Sequence, residues 1–440
     1  MLFQYKDYRG NVIQKILQLI DNEQYKRRNT IGSKGFTRNR LLPFCSLILL
    51  ISRTMSSSIQ RELNRFLSKI NNSDYNIQTV TKGALTQARA KLKPEAFREL
   101  CHAAIEEFYD GAPYTEWKGH RLLAVDGSSI HLPSHSTVKK TFGEYGAGSK
   151  ADKPCSMARI SVCYDVLNLV TLDARIDHWA ESEPVLLKDH LSTVRFKKGD
   201  LLLLDRGYPS ISIMYELQQR GVDFCIRMRD DWWNEVKAFV QEGNSAKSVV
   251  FELPKKDHHL LEQWPSANPV VHCRLISVPL EGGKTEILCT SLMDESVYSQ
   301  VDMKELYHYR WNIEEAYKLY KCRIGLAVFS GKTALAVQQD FHAKVFMMTM
   351  CAILSYPIES KVKQECAQAT RKHRRQINRT NALAFCKDAW IQLWKGGNTK
   401  KFLQALDSLL IKTTDIIRPN RKFERKKRRK YPPPPTYKQL

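Results

Sequence analysis

KKGDLLLLDRGYPS, residues 197–210, sets four consecutive leucines between two turn signals and ends them on an aspartate. An unbroken apolar run of this length suits a strand covered on both faces, as parallel strands between helical layers are. Pro209 falls in the first turn of the next helix, whose apolar positions Ile211, Ile213, Met214 and Leu217 lead to Gly221 just past its end. RLLAVDG (121–127) has the same form, an apolar run closed by Asp126. Between the two runs lie a polar loop at 133–157, a strand pair in ARISVCYDVLNLVTLDARID (158–177) turning near Leu167 and Asn168, and a helix in SEPVLLKDHLSTV (182–194). That order predicts a mixed α/β sheet with helices on its faces.

Working outward, VDFCIRMR, KSVVFELP, VVHCRLISVPL and TEILCTSLM fill 222–293 with strand patterns, and helical patterns return from 302 to about 417. Residues 1 to about 110 read as helical and basic. At 440 residues the chain exceeds one ordinary domain. We divide it into a helical basic DNA-binding region (1–115), a catalytic core (116–221 and 298–355), a β-rich insertion (222–297), a C-terminal helical region suited to dimerisation (356–417) and a basic, proline-containing tail (418–440). Lys82, Arg89, Lys91 and Lys93 cluster in the first region, as in a helix-turn-helix reader or an ordinary basic hairpin.

Lys and Arg outnumber Asp and Glu by 69 to 46, a net charge of +23, and RPNRKFERKKRRK (418–430) alone contributes +8. A polyanion is the expected partner, and nucleic acid fits best. The tail and the YPPPP that follows it are expected to be extended. Eleven scattered cysteines without a C-x-x-C pair, and no secretory pattern at the N-terminus, point to reduced thiols and a cytoplasmic chain, nucleoid-associated if bacterial. LLPFCSLILLI (41–51) and VFMMTMCAILSYPI (345–358) fall short of the roughly 20 apolar residues of a membrane span and read as core helices, so no membrane partner is expected. No G-x-x-x-x-G-K-[ST] loop or G-x-S-x-G elbow occurs, which disfavours an NTPase and a serine hydrolase. His131 and His272 lack metal-ligand spacing.

Asp126 and Asp205 end apolar runs and precede glycine-containing turns, at the strand ends where open α/β sheets expose functional groups. Either alone is ordinarily a cap or turn residue, but two at matched ends converge if their strands are neighbours. A third acid lies in YHYRWNIEEAYKLYK (307–321). At about 100° per residue, positions seven apart nearly superpose, so Tyr307, Glu314 and Lys321 share one helix face, and Arg310 joins them. Glu315 points about 100° away, toward solvent or Lys318. A plain surface helix with Arg310 and Glu314 paired at i,i+4 accounts equally well for the stripe.

Tyr307-x2-Arg310-x3-Glu314-x6-Lys321 resembles the Y-R-E-K signature of DDE transposases of the insertion-sequence-four type. Asp126-Gly127-Ser128 is similar to that family's first acidic motif and Asp205-Arg206-Gly207-Tyr208 to its second, in the family's order. The resemblance covers roughly residues 120–350. It implies a ribonuclease-H-like mixed sheet with flanking helices, interrupted by a mostly β insertion before the glutamate, with helical N- and C-terminal regions. Asp126, Asp205 and Glu314 would be catalytic and would hold Mg²⁺, two ions by the family's pattern, with Mn²⁺ able to substitute. Tyr307, Arg310 and Lys321 would contact DNA. The implied activity is cleavage at transposon ends and strand transfer into target DNA, by a homodimer in a synaptic complex on double-stranded DNA with terminal inverted repeats. A transposase-derived DNA-binding protein that no longer cuts and a stand-alone nuclease of the same fold stay open as alternatives.

Overall fold

The computed structural model describes residues 8–37, 41–55, 57–146, 154–280, 283–368 and 373–417; the expected tail at 418–440 lies outside them. In chain order come helices α1 (Tyr8–Ile20), α2 (Glu23–Arg28), α3 (Phe44–Ser52), α4 (Ile59–Asn71), α5 (Lys82–Arg89) and α6 (Glu95–Gly111). Strand β1 (Leu122–His131), helix α7 (Ser136–Phe142), strands β2 (Glu144–Tyr145), β3 (Cys155–Asp165) and β4 (Val170–His178), helix α8 (Glu183–Thr193), strand β5 (Leu201–Leu204), helix α9 (Ile211–Gln219) and strand β6 (Asp223–Met228) follow. Then come α10 (Asn234–Glu242), β7 (Ala246–Glu252), β8 (Val270–Pro279), β9 (Thr285–Thr290), α11 (Gln300–His308), α12 (Trp311–Cys322), α13 (Ala334–Gln368), β10 (Arg375–Ile377), α14 (Arg379–Trp394), α15 (Thr399–Lys412) and β11 (Thr414–Ile416).

The central strands lie in the order β4-β3-β1-β5-β6. The first three form an antiparallel meander, and β5 and β6 run parallel to β1. A meander followed by two parallel strands, each reached through a helix, is the ribonuclease-H-like sheet that the sequence implies. The four leucines of β5 are fully buried. Leu201 and Leu203 join Leu122 and Ala124 in one hydrophobic cluster with α6 and α13, while Leu202 and Leu204 join Leu123 and Val125 in another with α8 and α9. Alternate side chains of a strand point to opposite faces, so a run without polar residues is what a sheet covered on both sides requires.

Within the segment read as a β-rich insertion, 222–297, the strands belong to the same sheet as the core. β6 is the last parallel strand of the core, and β9, β8 and β7 continue the same sheet antiparallel beyond it. The N-terminal helices are likewise joined to the core, since α6 packs on both α1 and α13. α3 and the 345–358 part of α13 are buried, as expected for core helices. By length and composition α13 is apolar enough to cross a membrane, but its most apolar stretch is 83% buried inside the protein. α14 and α15 pack back on α13.

Candidate active site

β1 and β5 pair in parallel, with Ala124 level with Leu203. Two residues further along lie Asp126 and Asp205, on neighbouring strands about 4.8 Å apart. Asp205 follows the end of β5 as expected, but β1 runs on to His131, so Asp126 lies inside its strand and not at the strand end the apolar run suggested. Each carboxylate accepts from a glycine N–H: that of Gly127, the next residue of β1, donates to Asp126 Oδ1 at 2.9 Å, and that of Gly207, in the turn after β5, to Asp205 Oδ1 at 2.7 Å.

Helix α12 runs along β1 and bonds to the sheet at two levels, near the start of the strand and at Asp126. The Tyr317 hydroxyl donates to the backbone carbonyl of Asp126 at 2.7 Å, and the Asn312 amide to that of Val166 at 3.0 Å. Glu314 lies one turn from Asn312 and Tyr317 and accepts from Arg310 Nη2 at 3.1 Å. Arg310 is buried, and the charges of both Asp126 and Glu314 act on its guanidinium. Lys321 donates to the Ser128 hydroxyl at 2.5 Å, at the exposed rim. Glu315 is exposed and paired with Lys318. The i,i+4 pair of the plain surface-helix reading therefore exists, but it lies against the carboxylates of the two strands.

Tyr307 does not share the helix face with Glu314. The expected single helix is two, α11 and α12, because the Arg310 N–H bonds to the Tyr307 carbonyl and the Ile313 N–H to that of Arg310. These tight i+3 turns break the 3.6-residue phase. Tyr307 is buried, its hydroxyl donating to the Leu204 carbonyl at 3.3 Å, one residue before Asp205.

Asp126 carries the site's clearest electrostatic mark. Burial, together with the charges of Asp205 and Glu183, pushes its carboxyl up to about 7, against the Gly127 N–H and Arg310, which pull it down. Burial and Asp205 also raise Glu183. Glu183 and Tyr317 are absent from the sequence expectations, and Tyr208 enters them only as the last residue of the second acidic motif, without a role. An acid in the first turn of a helix reads as favourable to the helix dipole, which masks Glu183. Tyr317 sits three residues after Glu314 and was discoverable as the next position on that face. Behind β1, Asp173, His190 and Ser161 form a hydrogen-bonded chain, with Ser161 donating to the Asp126 carbonyl at 3.4 Å. All three are buried, so the chain supports β1 and offers no open nucleophile. His131 and His272 are exposed.

The donor set suits a hard divalent cation: all oxygen, partly buried, with an Asp126 carboxyl whose charged form burial and neighbouring acids disfavour and a cation would favour. Among the described residues no three His, Cys, Asp or Glu side chains stand close enough to enclose an ion as they are. Glu314 would have to exchange Arg310 for the metal.

Residues 117–351, just over half of the chain, match the family described as "Transposase DDE domain", and the chain belongs to that family. It is 25% identical over 248 residues to "Transposase InsG for insertion sequence element IS4" of Escherichia coli (strain K12), covering 55% of this chain and 53% of that protein. It is 24% identical over 238 residues to "Putative transposase InsZ" of the same organism, covering 52% of this chain and 75% of that one. The chain thus spans about half the length of InsG. Among solved structures it resembles a piggyBac transposase synaptic complex with hairpin DNA, with 91% of this chain aligned at 12% identity and a TM-score of 0.42.

Proposed function

We propose that this protein is a transposase that cuts DNA at the ends of its element and joins the freed 3′ ends to target DNA, acting as a homodimer that holds two ends together. The observation that carries the proposal is the parallel pairing of β1 with β5, which brings Asp126 and Asp205 to one edge under the helix bearing Glu314. Family membership and a net charge of +23 support a DNA substrate. Asp126, Asp205 and Glu314 would hold Mg²⁺ or Mn²⁺, which supplies activation of a water or 3′-hydroxyl and neutralises charge on the leaving oxygen. Arg310, buried between two of these acids, keeps their charges balanced until DNA arrives. Lys321, at the rim beside Ser128, meets phosphate as a point charge.

The test is incubation of the purified protein with element-end DNA and Mg²⁺. Asp126→Ala, Asp205→Ala and Glu314→Ala should each abolish strand cleavage while DNA binding survives, and Glu315→Ala should cut normally. Normal cleavage by Glu314→Ala would overturn the assignment. One observation favours a second reading, a family member that binds DNA without cutting: Glu314 is paired with Arg310, and among the described residues no three acids are drawn together. Its signature is end binding by the wild type with no nicking in Mg²⁺ or Mn²⁺.

A further inference from the structure

Glu183 opens α8, the helix between the antiparallel meander and β5, and its carboxylate lies between Gly127 of β1 and Gly207 in the turn after Asp205. A Cβ built on Gly127 would lie 2.5 Å from Glu183 Oε1, and one built on Gly207 would lie 3.0 Å from Glu183 Oε2 and 3.1 Å from Asp205 Oδ1. Neither glycine has a positive φ. Backbone conformation therefore does not demand glycine at these two positions, and a side chain at either would have to displace the Glu183 carboxylate. One oxygen of Glu183 abuts β1 at the residue after Asp126, and the other abuts the turn after Asp205.

Glu183 is poorly compensated where it stands. It accepts no hydrogen bond among the described residues, and its one ion pair, with Arg159, is 3.6 Å long between partly exposed side chains. A second, independent feature points into the same space. Tyr208 is 0% exposed, its hydroxyl has no hydrogen-bond partner, and the strongest charges acting on it are those of Glu183 and Asp126. A buried hydroxyl left unpaired costs about 1–3 kcal/mol, so a group completing the site is expected to meet it. Glu314, by contrast, is already engaged by Arg310.

We propose that Glu183 is a fourth acidic residue of the site, which draws in with Asp126 and Asp205 around a divalent cation before Glu314 leaves Arg310. Among the described residues no three acids enclose an ion as they stand, so the cation itself brings them together. This rests on the transposase reading of the site but concerns metal binding alone, so it can fail while that reading stands. A cation there satisfies the unpaired oxygens of Glu183, and a water on the cation gives the Tyr208 hydroxyl its partner. Hard divalent cations keep several waters and take few protein carboxylates, which matches three acids on three separate elements.

The experiment is a Mn²⁺ titration of the full chain without DNA, followed by the electron paramagnetic resonance signal of free Mn²⁺. Glu183→Gln should weaken Mn²⁺ binding by at least about tenfold, Gly127→Ala should weaken it by crowding the same carboxylate, and Glu315→Gln should bind as the wild type does. Wild-type affinity in a folded Glu183→Gln overturns the proposal. If Asp126→Asn and Asp205→Asn also keep wild-type affinity, the metal-site reading falls with it; if only those two weaken binding, Glu183 alone is excluded. Should the variants fail to fold, Fe²⁺ with ascorbate and peroxide on the wild type replaces them. Backbone scission near residue 183 as well as near 126 and 205, suppressed by Mg²⁺, supports the proposal, and scission sparing 183 overturns it.

Discussion

The Tyr307 hydroxyl ends on the carbonyl of Leu204, directly beneath the turn that carries Asp205. In that place a phenol holds the end of β5 and is not presented to a phosphate. Tyr307→Phe should therefore cost about 1 kcal/mol in urea unfolding, the ordinary net value of a hydrogen bond, with DNA affinity unchanged. Lys321→Ala, at the rim, should weaken DNA binding with little change in stability. The reverse pattern in an electrophoretic shift assay would return Tyr307 to the DNA surface. Residue identity was legible at Asp126 and Asp205 because an acid ending an apolar run is locally unusual. At Tyr307 it was not, since its direction depends on two backbone hydrogen bonds that no residue preference in Tyr309-Arg310 announces.

Among elements, α12 places Glu314 and is itself placed by two contacts, Asn312 on Val166 and Tyr317 on Asp126. Both contacts end on backbone carbonyls of the meander, so the helix rides with β1 and keeps Glu314 in step with Asp126. Tyr317→Phe removes the bond nearer the carboxylates and should lower the cleavage rate while end-DNA affinity holds. Its unfolding free energy should fall by about 1 kcal/mol, and supplying excess Mn²⁺ should leave the rate defect in place, because the defect lies in helix position and not in metal affinity. A rate equal to wild type would show that Asn312 alone positions the helix. Strand existence in 222–293 was readable from alternation, but the division of those strands was not. β6 has the same apolar character as β8 and β9, and only its parallel partner β5 makes it part of the core. A parallel neighbour leaves no mark on a strand's own sequence.

At the scale of the whole molecule, the question is whether the basic N-terminal helices are a separate DNA module or part of the catalytic body. The cluster of Lys82, Arg89, Lys91 and Lys93 divides in the fold. Lys82 is exposed and Lys91 and Lys93 are half-buried, but Arg89 is buried against α13. Its guanidinium donates to Gln339 Oε1 at 2.9 Å, Ser330 Oγ at 2.6 Å, the Ala336 carbonyl at 2.9 Å and Asp340 Oδ1 at 2.9 Å. Gln339 returns two bonds to the carbonyls of Arg89 and Leu92. Burial alone would raise the Asp340 carboxyl, but Arg89 and Lys344 hold it below the usual carboxylate range. The two side chains of the pair are only 7% and 5% exposed, so removing one partner leaves the other as an uncompensated buried charge. Arg89→Met should cost about 3–5 kcal/mol in urea unfolding, and Arg89→Met with Asp340→Leu should recover much of that loss, because an apolar pair carries no such charge. Arg89→Met should also expose the N-terminal helices to protease before the core sheet is cut, since the network is what ties α5 to α13. If Arg89→Met instead keeps wild-type stability and loses DNA binding, Arg89 reads DNA and the N-terminal helices move independently. The guanidinium argues for the first outcome, because it is buried and spends four of its five N–H donors inside the protein, away from any phosphate.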